Sequence, residues 1–143
     1  MNTVLVATDG SASADRAVAF AAQLANTTHA KLAIFAVSEG RASSELKAFG
    51  EAEHVTTGDM LESELNGILA GARARANSLR VHDIETQSEM GDPAALILKK
   101  AGALHADAIV AGKRGRGQLS GLLLGSVSQK LVTLAPCPVV IVP

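Results

Sequence analysis

Residues 106–128 read ADAIVAGKRGRGQLSGLLLGSVS and carry the strongest structural signal in the chain. The first six residues form a short apolar run that predicts a buried strand, and this run ends directly at Gly112. A loop rich in glycine follows, and Gly125-Ser126 then opens a helical pattern over residues 126–134. A buried strand that leads through a glycine loop into a helix is typical of an α/β domain with a parallel sheet.

The rest of the chain repeats this alternation of apolar runs and helical patterns. We predict strands at residues 3–8, 32–37, 81–88, 106–111 and 138–142, and helices at 13–27, 58–79, from Asp92-Pro93 onward and at 126–134. The strand near residue 84 alternates polar and apolar residues, so it belongs at an edge of the sheet. We therefore expect one α/β domain over residues 1–143, with a doubly wound, five-stranded parallel sheet of order 3-2-1-4-5 and helices on both faces.

This strand order predicts where a ligand binds. In an open parallel sheet, ligands bind beyond the carboxyl ends of the strands where the winding direction reverses, which here lies between strands 1 and 4. Strand 1 leads into Asp9-Gly10-Ser11, and strand 4 leads into Gly112. Asp9 and Gly112 are therefore predicted to face each other across a crevice.

The backbone of the glycine loop suits an anion. We expect Gly112 to let a ligand approach the main chain, because glycine has no Cβ. Gly115 and Gly117 would allow the loop to turn with its N–H groups pointing inward, as in phosphate-binding loops. The helix that starts at Gly125-Ser126 adds unpaired N–H groups and the positive end of its dipole.

The charges of the chain point to the same loop. Residues 1–100 contain nine basic and thirteen acidic residues, whereas residues 101–143 contain four basic residues and one acidic residue. Three of those four cations are Lys113, Arg114 and Arg116. A basic loop is often only a solvated surface, but its glycines and the hydroxyl donors of Ser126 and Ser128 favour an anion site here.

Familiar phosphate-binding motifs do not account for this loop. A P-loop requires G-x4-G-K-[ST] after strand 1, and the chain contains no such string. The dinucleotide fingerprint G-x-G-x-x-G fails because Ser120 stands at its last position. A phospho-receiver domain would need clustered acids after strand 1, where Asp9 stands alone.

The spacing Gly112-x2-Gly115-x9-Gly125-Ser126 resembles the ATP-binding signature of the universal stress protein family, G-x2-G-x9-G-[S/T]. The likeness extends over the whole chain. VLVATDGSASADRAVAFA resembles the family's opening strand and first helix, and GDPAALILKKA resembles the entry to its third helix. ADAIVAGKRG resembles its fourth strand, and CPVVIV resembles its closing strand. Many relatives have a small or polar residue where this chain has Lys113. The resemblance implies membership of the ATP-binding branch of the family.

That resemblance also implies a ligand and a set of site residues. The ligand would be ATP, with Mg²⁺ accompanying its phosphates. The residue after strand 1, Asp9, would lie beside the adenosine end, the backbone at Val37 would meet adenine, and the loop glycines with the Gly-Ser pair would hold ribose and phosphates. The full nucleotide-binding set would be Ala7, Thr8, Asp9, Val37, Gly112, Arg114, Gly115, Gly125, Ser126, Val127 and Ser128.

The last strand predicts a homodimer. PVVIV at residues 138–142 is wholly apolar but belongs at a sheet edge, where an exposed apolar strand promotes aggregation unless something covers it. The family resemblance independently implies homodimers formed through this strand. The predicted interface consists of Val139, Val140, Ile141 and Val142.

Composition excludes several other classes of protein. A net charge of −1 argues against a general nucleic-acid binder, and three Phe with no Trp or Tyr leave no stacking platform for single strands. No apolar run is long enough to span a membrane, and no secretory signal opens the chain, so we expect a cytoplasmic protein. Cys137 is interpreted as an inert packing residue, and the four histidines have no metal-binding spacing.

The main functional hypothesis is a binding or signalling module. ATP occupancy would order the loop and the long connection at residues 38–57, itself a mobile flap or a short extra helix, and so change the dimer surface for a protein partner. Asp9 is the only carboxylate predicted in the crevice, and no catalytic group stands out. Two alternatives remain open: a slow ATPase or self-phosphorylating enzyme using Ser126 or Ser128, and a nucleotide-independent interaction protein.

Overall fold

A computed structural model describes residues 1–39, 48, 51–53, 56–115 and 124–143. Strands and helices alternate along these residues. In chain order they are β1 (Thr3–Thr8), α1 (Ala12–Thr28), β2 (Lys31–Ser38), α2 (Thr57–Ser78), β3 (Ile84–Met90), α3 (Pro93–Ala103), β4 (Ala108–Gly112), α4 (Ser126–Leu134) and β5 (Val139–Val142). The predicted bounds of β1 and α4 are confirmed, whereas β3 begins three residues later than predicted. The connection predicted as a flap or short helix lies largely outside the described residues.

The five strands form one parallel sheet of order β3-β2-β1-β4-β5, as predicted. β1 lies at its centre, pairing with β2 from Thr3↔Lys31 to Thr8↔Ala36 and with β4 from Val4↔Ala108 to Val6↔Val110. Since the carboxyl ends of parallel strands meet at one edge, the turn after β1 and the loop after β4 are brought side by side.

Two hydrophobic clusters cover the two faces of the sheet. Successive residues of a strand point to opposite faces, so Val4 and Val6 of β1 enter one cluster and Leu5 enters the other. The first cluster includes alanines of α1 and α2, and the second includes Ile97 of α3 and Leu131 of α4. The central strands are therefore buried on both sides, which explains why their sequences are continuously apolar.

The helices begin at the edge where the strands end. Side-chain oxygens of Ser11, Thr56 and Asp92 accept hydrogen bonds from backbone N–H groups of α1, α2 and α3. This confirms the predicted Asp92-Pro93 start of α3. α4 differs, because its N-cap is Gly125 and none of the described side chains caps it.

The two sheet edges are unlike each other. β3 is polar and half-exposed, and the Lys31–Glu85 ion pair of 2.8 Å joins it to β2. All four side chains of β5 are half-buried, and they pack alternately on the first and the second hydrophobic cluster. Cys137 lies beside the second cluster, and its burial raises the pKa of its thiol, in keeping with the predicted packing role.

None of the helices in the described residues is both long and apolar enough to span a membrane.

His29 and His105 adopt positive φ angles of 56° and 49° just after α1 and α3, where chain direction changes. Within the same described residues, no three His, Cys, Asp or Glu side chains gather in a group that could hold a metal ion.

Candidate functional site

A cleft of about 500 Å³ lies beyond the carboxyl ends of the strands. Volumes of roughly 300–1,000 Å³ are usual for small-molecule sites. The ends of β1, β2 and β4 form its floor, and α2, α3 and the start of α4 form its walls. Every residue of the predicted nucleotide-binding set lines this cleft: Ala7, Thr8, Asp9, Val37, Gly112, Arg114, Gly115, Gly125, Ser126, Val127 and Ser128.

The turn after β1 is held by its own side chains. The Ser11 N–H donates to Asp9 Oδ1 at 2.9 Å, and the Gly10 N–H donates to Thr8 Oγ1 at 3.2 Å. Gly10 has a φ of 79°, a left-handed conformation that favours glycine. Ser11, rather than Asp9, caps α1 by accepting the Ala14 N–H. Asp9 therefore braces the turn and remains at the wall of the cleft.

The loop after β4 approaches this turn closely at Gly115. A Cβ at Gly115 would lie 2.6 Å from Asp9 Oδ2, so a side chain there would require the carboxylate or the loop to move. Among the described glycines, positive φ angles occur at Gly10 and Gly91 but not at Gly115. Gly115 therefore needs no left-handed backbone conformation, and its role in turning the N–H groups of the loop inward stays a prediction. Its closeness to Asp9 is a separate reason for a residue without a side chain.

Gly112 also serves a different purpose from the one predicted. A Cβ there would point at the first turn of α1, 2.5 Å from Ser13 Oγ and 2.9 Å from the carbonyl carbon of Ser13. The missing side chain thus allows α1 to pack against the end of β4. Gly112 still lines the cleft, but the room gained by its missing side chain is taken by α1 rather than by a ligand.

The start of α4 closes one end of the cleft. The Gly125 N–H donates to the Lys113 carbonyl at 3.0 Å, which fixes the helix start beside the loop. Ser126 is exposed at the first helical position, and the N-cap is Gly125. With Arg114 half-buried on the same wall, helix dipole and guanidinium both favour an anion at this end.

Ser128 has a structural task that the sequence did not reveal. Its side chain is 4% exposed, and its hydroxyl donates to the Gly112 carbonyl at 2.7 Å, with the Lys113 carbonyl at 3.3 Å. A hydroxyl has a single proton to donate. In this structure that proton ties α4 to the loop, and the role of Ser128 as a hydroxyl donor to a bound anion stays a prediction.

The sequence over residues 1–143 matches the profile of the Universal stress protein family. The chain belongs to the universal stress protein family. It is 34% identical over 140 residues to a protein of Staphylococcus aureus (strain USA300) assigned to the universal stress proteins, covering 97% of this chain and 82% of the relative.

Solved structures share the fold of this family member. A universal stress protein crystallised in complex with cAMP is 32% identical, with a TM-score of 0.76 over 99% of this chain and 97% of that chain. UspA from Lactobacillus plantarum superposes with a TM-score of 0.80 at 23% identity, again over 99% of this chain and 97% of the other.

Sequence reasoning missed two carboxylates in the cleft of this universal stress protein. Glu39 follows β2, and Glu64 stands on α2 one turn before Ile68; both line the cleft. The prediction that Asp9 is the only carboxylate there was wrong. The sequence predicts a helix over residues 58–79, but only the packing of α2 against β2 brings Glu64 and Ile68 to the site.

An apolar wall forms another part of the lining. Besides Val37 it is built by four residues of α2 and α3, which are Leu65, Ile68, Pro93 and Ile97. Two further predicted loop residues, Arg116 and Gly117, lie outside the described residues. Lys113 contributes through its backbone, donating its N–H to the Val142 carbonyl at 2.7 Å, and its side chain is not part of the lining.

Proposed function

We propose that this universal stress protein is a cytoplasmic nucleotide-binding module that binds ATP and acts as a homodimer. Occupancy of the cleft would control its interaction with a protein partner. The observation that carries the proposal is the convergence of the Asp9 turn, Gly115 and the start of α4 on one cleft of about 500 Å³.

The phosphates belong at the α4 end of the cleft. Gly125 begins this helix without a cap from any described side chain, so its first N–H groups can turn to a phosphate. Arg114 adds a guanidinium on the same wall, and the exposed Ser126 adds a hydroxyl. Because the described residues contain no group of metal ligands, we assign the accompanying Mg²⁺ to the phosphates themselves.

The base belongs at the apolar wall. Val37, Leu65 and Ile68 offer a surface on which a planar ring loses its contact with water, and no aromatic side chain is among the lining residues described. The complex of a 32% identical relative with cAMP supports an adenine nucleotide as the ligand here. Asp9 would then lie beside the adenosine, as the family resemblance implies.

The homodimer would form along β5. In the described residues β5 pairs with β4 alone, so its outer edge presents unpaired backbone groups. Val132 and Leu134 on the neighbouring α4 are 48% and 63% exposed and extend the apolar surface next to this edge. A second copy of the chain would cover Val139, Val140, Ile141 and Val142. A protein partner could then bind the surface of the dimer.

Calorimetric titration of Mg-ATP into nucleotide-stripped protein tests the proposal. A valine at Gly125 would bring side-chain branches against the Lys113 carbonyl, 3.4 Å from the Cβ position, and Arg114. We expect saturable binding by the wild type and loss of binding in Gly125→Val. Gly58→Val is the matched control, because Gly58 also begins a helix but has nothing within 4 Å of its Cβ position. Absence of wild-type binding to ATP, AMP and cAMP would overturn the proposal.

An enzymatic role competes with pure binding. Ser126 is an exposed hydroxyl on the phosphate side of the cleft, which makes it the better phosphoryl acceptor, since Ser128 is buried and already donates to Gly112. Steady release of phosphate that Asp9→Ala abolishes, or phosphate transfer that Ser126→Ala abolishes, would favour a slow ATPase or a self-phosphorylating enzyme. Binding without turnover would favour the signalling module.

A further inference from the structure

The carbonyl oxygen of Val142, at the end of β5, accepts two hydrogen bonds from elsewhere in the fold. The Lys113 N–H donates at 2.7 Å, and the Ser13 hydroxyl donates at 3.1 Å. A carbonyl oxygen has two lone pairs, so both bonds can form together. Ser13 is only 9% exposed, which leaves little water to replace its bond if β5 moves.

Both donors are chain neighbours of residues that line the cleft. Lys113 stands between Gly112 and Arg114, which line the cleft, and Ser13 precedes Ala14, which also lines it. The Lys113 carbonyl in turn accepts the Gly125 N–H at 3.0 Å. A continuous set of hydrogen bonds therefore joins the start of α4, the glycine loop, the end of β5 and the first turn of α1.

A third contact fixes the residue after β5. Arg16, one turn beyond Ser13 on α1, donates its Nε–H to the main-chain oxygen of Pro143 at 2.7 Å. Its side chain is exposed and does not line the cleft. Ser13 and Arg16 thus hold the end of β5 from the side of α1, while Lys113 holds it from the loop.

We propose that Ser13 and Arg16 are positioning residues that couple nucleotide binding to the seating of β5. By their hydrogen bonds to Val142 and Pro143 they fix the position of the Val142 carbonyl. This carbonyl accepts the Lys113 N–H, so its position also fixes the glycine loop that would contact the ligand. Coupling between two sites is reciprocal, so a nucleotide that holds the loop also holds β5. This inference rests on the proposed nucleotide site and extends it to the strand proposed as the dimer edge.

Hydrogen exchange tests the effect of ligand on β5. The probe is whichever of Mg-ATP, AMP and cAMP binds most tightly, added at saturation and at one protein concentration. We expect peptides that cover Val139–Val142 to exchange about fivefold more slowly with ligand, whereas peptides that cover Ile84–Met90, the other edge strand, keep their rate. Equal exchange of β5 with and without ligand would overturn the coupling.

Affinity of variants outside the cleft tests the reverse direction. Ser13→Ala should weaken binding about fivefold, the worth of one hydrogen bond. Thr28→Val is the matched control, since Thr28 also donates a part-buried hydroxyl to a backbone carbonyl, that of Leu24, at the far end of the same helix. We expect it to lower stability without changing affinity. Arg16→Leu should weaken binding, and Arg16→Lys, which keeps a donor, should restore it.

The outcomes separate the two proposals. Tight wild-type binding, with Ser13→Ala equal to Thr28→Val in affinity, would overturn the coupling and leave the nucleotide site intact. A wild type that binds none of the three nucleotides would overturn the proposed function and this inference together. Slower β5 exchange with ligand and a selective loss of affinity in Ser13→Ala would support both.

Discussion

Asp9 and Gly115 are packed so closely that a Cβ on the glycine would lie 2.6 Å from the Asp9 carboxylate oxygen Oδ2. The two residues come from opposite ends of the chain and meet where β1 and β4 end side by side. Their contact joins the turn after β1 to the loop after β4, and both residues line the cleft. A substitution at Gly115 is therefore the most direct way to perturb the site.

Gly115→Ala should impair binding more than folding. The added methyl must displace the Asp9 carboxylate or the loop, so we expect nucleotide affinity to fall at least about tenfold, as expected for a lost hydrogen bond to a charged group. Gly115 is exposed, so the melting temperature should change little. Calorimetric titration and thermal melting measure the two effects. Unchanged affinity would place the ligand away from this contact.

Gly112→Ala should act on stability. Its Cβ would lie 2.5 Å from Ser13 Oγ and 3.0 Å from the Ala14 backbone nitrogen, so α1 must shift. Overpacking of this kind costs about 1–3 kcal/mol. Urea denaturation of Gly112→Ala measures that cost. Gly67→Ala, in the open middle of α2 with nothing within 4 Å, should instead gain up to about 1 kcal/mol. Equal stabilities for the two variants would contradict the packing account.

Ser128→Ala and Ser126→Ala should separate the two serines of the signature. Loss of the buried Ser128 hydrogen bond to Gly112 leaves that carbonyl unpaired, so we expect about 1–2 kcal/mol of destabilisation. Ser126 is exposed, and its alanine variant should lower nucleotide affinity while keeping wild-type stability. Denaturation and titration of both variants provide the check. A reversed pattern would assign the ligand contact to Ser128.

Asp107 should contribute to the loss of stability in acid. The N–H groups of Thr3 and Asn2 donate to its carboxylate and lower its pKa. A carboxyl whose pKa is lower in the folded state stabilises the fold above its unfolded pKa of about 4, and this contribution disappears as the pH falls through the folded pKa. Asp107→Asn should therefore be less stable than the wild type at pH 7 and equally stable near pH 2. Parallel curves of stability against pH would contradict this.

A charged residue at Val140 should disrupt the proposed dimer. Val140→Asp places a charge on the apolar edge strand, and we expect monomeric or insoluble protein by size exclusion with light scattering. Val140 also packs on the first hydrophobic cluster, so circular dichroism must confirm that the monomer is folded. Glu89→Lys on the opposite edge serves as the control. An unchanged, soluble oligomer in Val140→Asp would reject β5 as the interface.

The sequence was most informative where a single physical constraint dominates. Buried parallel strands must be apolar on both faces, so the runs at residues 3–8 and 106–111 identified the centre of the sheet, and the alternation near Ile84 identified an edge. The same logic brought Asp9 and the glycine loop to one cleft, because strand order alone determines which loops are neighbours.

The sequence was less informative about which atoms each residue would contact. Gly112 and Gly115 were recognised as necessary glycines, but the reasons, Ser13 and Asp9, depend on how α1 and the loop pack in three dimensions. The hydroxyl of Ser128 could have faced a ligand or a carbonyl, and only the position of α4 decides this. Glu64 was missed because it is far in sequence from the turn after β1 and the glycine loop, and only the packing of α2 brings it to the cleft.

The central pairing of β1 with β4 has a consequence for biosynthesis. Val4 lies opposite Ala108, so β1 is synthesised long before β4, one of the two strands that it pairs with. The cleft needs residues that are made later still, at the start of α4. A nascent chain that ends before α4 therefore lacks part of the cleft lining, so the proposed site can be completed only after α4 has been synthesised.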